Sequence, residues 1–455
     1  MKTYDLIVIG SGSGLDVANA AAEHGQKVAI IEKDRMGGTC LNRGCIPSKL
    51  LIYSADVAET IRNAGRFGIK VKGFTVDFEK IVSSTNEFTD NDSDQIRKAF
   101  DDIDNPKLYP FEGKFIDKKT LSVGTETINA EKILIACGTR PSIPKIPGLE
   151  GSGFITSDEA LRLGKQPQVL TILGGGYVAC ELAHFFGALG TKINIIQRRA
   201  ILLPREDEDV SQRFTQVFSK KYNMYTGCDT TSISKKGNEF LATIKKPSGE
   251  TETLVSDQLL VATGRTPNTD TLSLDKTGVA TNEKGYIVTD EFLETSVPGI
   301  FALGDAVGRY PFKHSANHEA QYAFTNLVHP HKKAAVDYTA MPHAIFSSPQ
   351  IAGVGYTEQE LRQKGLKYLK SIYPYIDSAM GKAIKDNDGF VKFLVETETR
   401  KILGCHIIGT EASILIHEVL VAMRSADGTI DSLTNTIFIH PSLSEVIDRA
   451  ANSVE

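Results

Sequence analysis

The sequence predicts an α/β protein with two nucleotide-type βαβ units and a smaller α+β domain at the C-terminal end. Three observations predict it: a strand, glycine loop, helix and strand at the N-terminus, a second copy of that run from Val169, and a change of character after about Met341. A chain of 455 residues also exceeds what one hydrophobic core sustains, so several domains are expected.

The first run begins with the β-rich YDLIVI at residues 4–9, passes through the loop GSGSG and enters the alanine-rich helical stretch DVANAAAEHG. A second strand, KVAIIE, ends at Glu32. Gly10, Gly12 and Gly14 let backbone approach a pyrophosphate, and Glu32 supplies an acid for the ribose. The usual third glycine falls at position 15, which is Leu15, so helix and strand are expected to pack with a larger side chain between them.

Directly behind Glu32, the segment GGTCLNRGCIPSK, residues 37–49, places Cys40 and Cys45 five positions apart. A flavin held by the preceding loop would lie close to this pair, and a dithiol beside a flavin moves two electrons between a nicotinamide and a disulfide. An unbroken helix would separate the two positions by about 7.5 Å along its axis, more than a disulfide spans. A distorted or pre-helical turn is therefore expected, with Gly44 giving freedom and Pro47 limiting the helix. No second CxxC or CxxH cluster completes a four-ligand metal site, so no metal is expected. The Asp-rich stretch from Glu87 to Asp104 reads as a polar helix or loop on the surface.

From Val169 to Gln197 the pattern repeats: strand VLTILGGG, helix YVACELAHFFGALG and strand KINIIQ, with Gly174, Gly176 and Ala179 at the fingerprint positions. Each unit is followed by an apolar strand and a similar turn, ILIACGTRP with Gly138 and LLVATGRTPN with Gly264, suited to leading the chain into its next domain. In GIFALGDA, Asp305 follows a buried strand; its carboxylate either accepts from sugar-like hydroxyls or caps a helix. Beyond Met341, AIFSSPQIAGVG, FVKFLVETETRKILGCHIIG and the amphipathic SILIHEVLVAMRS read as an antiparallel sheet with helices.

The formal charge of -5 leaves no basic excess to attract nucleic acid or anionic lipid. The N-terminus runs straight into a glycine turn without a signal-peptide pattern, and no apolar stretch approaches membrane-spanning length, so a cytoplasmic location is expected. With six cysteines in so long a chain, a redox role for the Cys40 and Cys45 pair fits a reducing compartment better than a disulfide scaffold.

Taken in order, GSGSG, GGTCLNRGCIPSK, GGGYVACE, ATGRTPN, FALGDA and HPSLSE resemble the pyridine nucleotide-disulfide oxidoreductase family, across essentially the whole chain. The resemblance implies two Rossmann-like domains, FAD- and NAD(P)-binding, plus a C-terminal α+β dimerisation domain. Expected boundaries are 1–148 for the first part of the FAD-binding domain, 149–268 for the NAD(P)-binding domain, 269–338 for the return to the FAD-binding region, and 339–455 for dimerisation. It also implies roles. Cys45 matches the thiol facing the flavin, Cys40 the interchange thiol that attacks substrate, and Lys49 and Glu181 the ion pair beside the flavin. Gly38 and Thr39 join the FAD-binding set. His440 and Glu445 match the acid/base pair, acting on Cys40 of the other chain of a homodimer. Tyr177 matches a tyrosine covering the flavin until nicotinamide enters. Read without the resemblance, Lys49 and Glu181 could be solvated charges, and Tyr177 a packing aromatic.

An NAD site wants an acid at the end of the second strand, whereas a 2′-phosphate needs cations. Here Gln197 is followed by Arg198 and Arg199, with Arg205 nearby, which favours NADPH over NADH; the other reading leaves the arginines in solvent and Gln197 on an NAD ribose. Within the family, LLIYSADVAETIRNAGRFGI, FKHSANHEAQ and HIIGTEASILI are most similar to the mycothione reductase branch, which reduces a small-thiol disulfide. The alternative is the dihydrolipoamide dehydrogenase branch, whose usual histidine two positions before the catalytic one is Phe438 here. A flavin-binding scaffold without turnover is a third reading, against which Cys40, Cys45, His440 and Glu445 all stand.

Overall fold

The computed structural model describes residues 1–425 and 427–455. The N-terminal strand Lys2–Ile9 is central to a seven-stranded sheet, flanked by parallel strands Val28–Ile31 and Glu126–Ile135. Its two faces are both covered: Ile7 and Ile9 enter one apolar cluster, and Leu6 and Val8 another, shared with the helix Gly14–Glu23. That double burial is why the strand reads as a continuous apolar run rather than an alternating one. Strand Ile300–Ala302 returns from far along the chain to pair in parallel with Glu126–Ile135.

The second unit forms a four-stranded parallel sheet in the order Asn223–Thr226, Lys192–Gln197, Val169–Leu173 and Gln258–Val261. A three-stranded antiparallel sheet of residues 229–256 packs beside it. The two glycine turns singled out in the sequence meet: Thr139–Pro141 and Arg265–Pro267 pair antiparallel, tying together the crossings between the nucleotide units.

The C-terminal region is a five-stranded antiparallel sheet in the order Pro342–Ile345, Gln350–Gly355, Ile402–Gly409, Phe390–Glu396 and Tyr368–Pro374. Helix Ala412–Arg424 buries Ala412, Leu415, Ile416, Val419 and Ala422 on one stripe, the spacing of a core-facing helix. Its other side leaves Ile414 and Val421 exposed. An ionic cluster joins this region to the second nucleotide unit. Lys392, fully buried, donates to Asp207 at 2.8 Å and to Asp209 and Glu358 at 2.6 Å each.

One packing expectation is corrected. Helix and strand of the first unit do not meet across Leu15. A Cβ on Gly14 would lie 2.9 Å from Val8 Cγ1 and 3.0 Å from Ala136 Cβ, so Gly14 makes the close approach. The glycine has moved one position forward in the turn, and Leu15 packs on the margin of the apolar cluster that holds Val8 while lining a neighbouring groove.

Candidate active site

The cysteine segment is two helices rather than one. Gly38–Arg43 ends at Gly44, whose φ of -142° and ψ of -118° break the helical path, and Cys45–Asn63 starts immediately afterwards. A side chain at Gly44 would sit 2.8 Å from the Thr39 carbonyl oxygen, so the break depends on glycine. Pro47 does not limit the helix as expected. It occupies the first turn, where a missing N–H leaves no intrahelical bond unmade.

Both cysteines are free thiols, and the break brings their sulfurs within hydrogen-bonding reach. The two are not equivalent. Cys45 is lowered to about 7, first by the hydrogen bond from Cys40 and then by the positive charge of Lys49. Cys40 is pushed well above the usual thiol range by donating that bond and by burial. Cys45 also stands at a helix N-terminus, where the backbone N–H groups favour a thiolate.

Lys49 donates to Glu181 at 2.8 Å, and its ammonium lies 4.5 Å from the ring centre of Phe346. Glu181 is 6% exposed, and its other oxygen accepts the Phe346 backbone N–H at 2.9 Å. Neither is a solvated surface charge. Glu181 is fixed by the helix Tyr177–Ala188, which packs on the cysteine helix.

The glycine loops fit the dinucleotides that the sequence implies. Gly10, at φ +105°, has no room for a side chain, since a Cβ would meet the Ala136 oxygen at 2.3 Å. Gly12 faces open space, and Gly38 lies directly against it, with a would-be Cβ 2.8 Å from the Gly12 Cα. Helix Gly14–Glu23 begins without a side-chain cap, leaving first-turn N–H groups available to an anion. Glu32 accepts from the Ser11 N–H at 3.0 Å and the Ser11 hydroxyl at 2.8 Å. Asp305 does not cap a helix: it accepts from the Thr139 hydroxyl at 2.8 Å, while Arg265 donates to the Thr139 hydroxyl at 2.7 Å and its carbonyl at 2.8 Å. Gly138 and Gly264, at φ +65° and +129°, turn the chain beside this junction.

The second loop is built alike. Gly174, at φ +119°, abuts Ala262, Gly176 is open, and Ala179 is fully buried. Helix Tyr177–Ala188 also lacks a side-chain cap, and Tyr177 at its start is partly exposed. The Gln197 amide packs over Gly175. Arg198 and Arg199 are exposed and, among the described residues, make no ion pair.

The structure does not bring His440 and Glu445 to these cysteines within one chain. Helix Glu445–Asn452 packs on the C-terminal sheet, whereas the cysteine helices pack on Tyr177–Ala188 and Phe78–Ala99. His440 shares its Nδ1 proton with Glu445 at 2.8 Å; its side chain is 72% exposed, against 9% for Glu445. That hydrogen bond from His440 holds the Glu445 carboxyl below its usual range. Ile437 and Ile439 beside it are 97% and 79% exposed. Sequence reasoning missed Phe346, Thr139 and Lys313. Each reaches the site from more than 100 positions away, without a motif of its own.

A thiol pair beside two dinucleotide loops defines a disulfide-linked redox enzyme. The chain belongs to the pyridine nucleotide-disulphide oxidoreductase family: the family's pattern matches residues 4–320, and that of its dimerisation domain matches residues 341–451. Mycothione reductase of Mycobacterium tuberculosis is 35% identical, covering 99% of both chains. Dihydrolipoyl dehydrogenase of Chlamydia muridarum is 34% identical over 98% of this chain and 95% of its own. Among solved structures, the Cu(II) complex of the HOCl-induced flavoprotein disulfide reductase RclA from Escherichia coli superposes with a TM-score of 0.89 at 28% identity, covering 100% of both chains. The protein is thus an oxidoreductase acting on sulfur groups, and its family supports use of FAD and a pyridine nucleotide. The dimerisation domain supports a homodimer, and among the described residues no helix is long and apolar enough to cross a membrane.

Proposed function

We propose that this chain is an NADPH-dependent reductase of a small-molecule disulfide, similar in reaction to mycothione reductase, working as a homodimer. The observation that carries the reading is the asymmetric thiol pair, with Cys45 lowered to about 7 and Cys40 raised. FAD, held by residues 1–148 and 269–338, would supply the two-electron link between a nicotinamide on residues 149–268 and the sulfurs.

In the reduced enzyme the Cys40 thiolate attacks one sulfur of the substrate disulfide. That S–S bond breaks, and the leaving thiolate takes a proton from His440 of the partner subunit, whose ring Glu445 orients through Nδ1. Cys45, as thiolate, then attacks Cys40 Sγ; the Cys40–Cys45 disulfide forms and the second substrate thiolate leaves. Overall, NADPH, one proton and one disulfide give NADP and two thiols. Gln197 with Arg198 and Arg199 supports NADPH, because no acid stands at the ribose end of the strand to repel a 2′-phosphate.

Steady-state rates test this. NADPH should support reduction of a small-thiol disulfide at least tenfold better than NADH does, and Cys40→Ser should abolish turnover while leaving FAD bound. Efficient NAD-linked oxidation of dihydrolipoamide, with negligible NADPH-driven disulfide reduction, would instead make it a dihydrolipoyl dehydrogenase. Unchanged turnover in Cys40→Ser would remove the sulfurs from the mechanism.

A further inference from the structure

Cys40 opens into a groove of about 400 Å³ at the first glycine loop, lined by Gly12 and Gly37 and also by Lys313, Asp16, Asp92 and Ile96. Lys313 is the first residue of the helix Lys313–Val328, and its ammonium donates to the Ser13 hydroxyl at 2.9 Å. Ser13 in turn donates to Asn317 Oδ1 at 2.9 Å. Lys313 and Asn317 are four apart on one helix face, so a single hydroxyl, itself buried at the start of the first glycine-loop helix, fixes where the ammonium points.

The arrangement is unbalanced. Lys313 is half-buried and, among the described residues, has no carboxylate partner. A cation withdrawn from water and held only by a hydroxyl gains most from an anion forming nearby. Other charges around the Cys40 sulfur do not supply that cation. Arg43, on the same short helix, is bound to Asp34 and lies 3.7 Å from Asp158, and Lys49 is committed to Glu181. Asp16 and Asp92 on the groove walls oppose a thiolate, and Cys45 holds the Cys40 proton. His440 of the partner subunit is the remaining cation that the proposed dimer would bring.

We propose that Lys313 is a positioning residue for the disulfide-exchange step: its ammonium, oriented by Ser13 and Asn317, stabilises the Cys40 thiolate from within the same chain, complementing the partner's His440. The proposal rests on the reading that Cys40 is the interchange thiol. The same cation lowers Cys40 within the folded chain, against the larger effects of the Cys45 contact and burial.

The test is the pH dependence of alkylation of Cys40 by iodoacetamide in the NADPH-reduced holoenzyme, followed by peptide mass, in the natural protein, Lys313→Met and Lys313→Arg. Removing a cation of this kind should raise the apparent pKa of Cys40 by about one unit. At pH 7 the thiolate population then falls roughly tenfold, offset by greater nucleophilicity, so alkylation slows about threefold. Lys313→Arg should keep the natural profile. An unchanged profile in Lys313→Met overturns the proposal, and so does loss of FAD with no shift in Cys40, which would make a cofactor phosphate the anion that Lys313 serves. Cys40→Ser separates the two levels of inference. If it keeps full disulfide turnover, the reading of Cys40 fails and this proposal with it; if turnover is abolished but Lys313→Met alkylates normally, only the role of Lys313 fails.

Discussion

Replacing Lys49 by Met should raise the pKa of Cys45, and the geometry gives the size of the change. Cys45 opens its helix and Lys49 follows four residues later, which places the two side chains on one face at roughly 6 Å. At an effective dielectric near 20, a unit charge at about 6 Å contributes roughly 2.8 kcal/mol, or about two pKa units. Lys49 is 34% exposed, so solvent screening cuts this to about one unit. Glu181, 6% exposed and left without its cation, adds its negative charge in the same direction. From about 7, Cys45 should therefore rise to roughly 8 or above, leaving about a tenth of it as thiolate at pH 7. Alkylation of Cys45 in the reduced protein, resolved from Cys40 by peptide mass across pH 5.5 to about 9.5, reads the value directly. Glu181→Gln supplies a test of sign, because it removes a charge that raises Cys45 and should shift the curve slightly the other way. A Lys49→Met profile within about 0.3 units of the natural one would show that the Cys40 hydrogen bond alone sets the Cys45 thiolate, and the electrostatic reasoning would fail.

Lys392→Met should cost about 3–5 kcal/mol in urea unfolding, because it leaves Asp207 and Glu358 buried without their cation; a loss under about 1 kcal/mol would mean that the three carboxylates relax into solvent. In the same cluster burial pushes the carboxyls of Asp207 and Glu358 up, but His406 facing Asp207, together with Lys392 and the other hydrogen bonds to both, prevails and holds both below the ordinary range. Their stabilisation is therefore present at neutral pH and lost as pH falls through the folded values, so the midpoint of urea unfolding should drop more steeply between about pH 5 and 3 in the natural protein than in Lys392→Met. Glu445→Gln keeps an acceptor for the His440 Nδ1–H and should lower kcat/KM for disulfide reduction about tenfold, whereas Glu445→Ala, which also frees the ring, should lower it about a hundredfold; equal losses would assign Glu445 charge alone. Replacing Arg198 and Arg199 together by Ala should raise KM for NADPH about tenfold or more with KM for NADH little changed, and parallel changes in both would place the arginines outside the ribose site.

The parts legible in the sequence are those whose chemistry is local. The two glycine loops and the Cys40 to Lys49 segment carry their geometry within a dozen residues, because each needs a turn, an approach and a helix start in fixed succession. The shift from Leu15 to Gly14 was hidden because the fingerprint counts positions, while packing depends on which residue the turn presents to Val8. Lys392 was hidden for a different reason. It alternates with Val391 and Phe393 along its strand, as a solvent-facing lysine would, yet both sheet faces are covered and its ammonium is neutralised by residues 34 to 185 positions distant. Phe346, Thr139 and Lys313 share that property: their partners are set by domain packing, which no local pattern encodes.

That same division between local and distant residues explains why the sulfurs differ. Cys45 receives its stabilisation first from the Cys40 hydrogen bond and then from Lys49, four residues on in its own helix, so its thiolate is a property of one folded chain. Cys40 receives the opposite treatment: burial and the bond to Cys45 hold its proton on, and Lys313 opposes them only in part. A neutral thiol attacks disulfides poorly, so a chain that left Cys40 in this state would be a slow catalyst. The exposed His440, already oriented by a nearly buried carboxylate and flanked by the uncovered Ile437 and Ile439, has the missing chemistry but stands on a different domain. Burying those two isoleucines against a second chain favours association, and the same contact can carry the imidazole to a thiol that its own chain does not place beside it. On the proposed reading, dimerisation and the acid/base step are one event, driven by apolar surface and used for proton transfer.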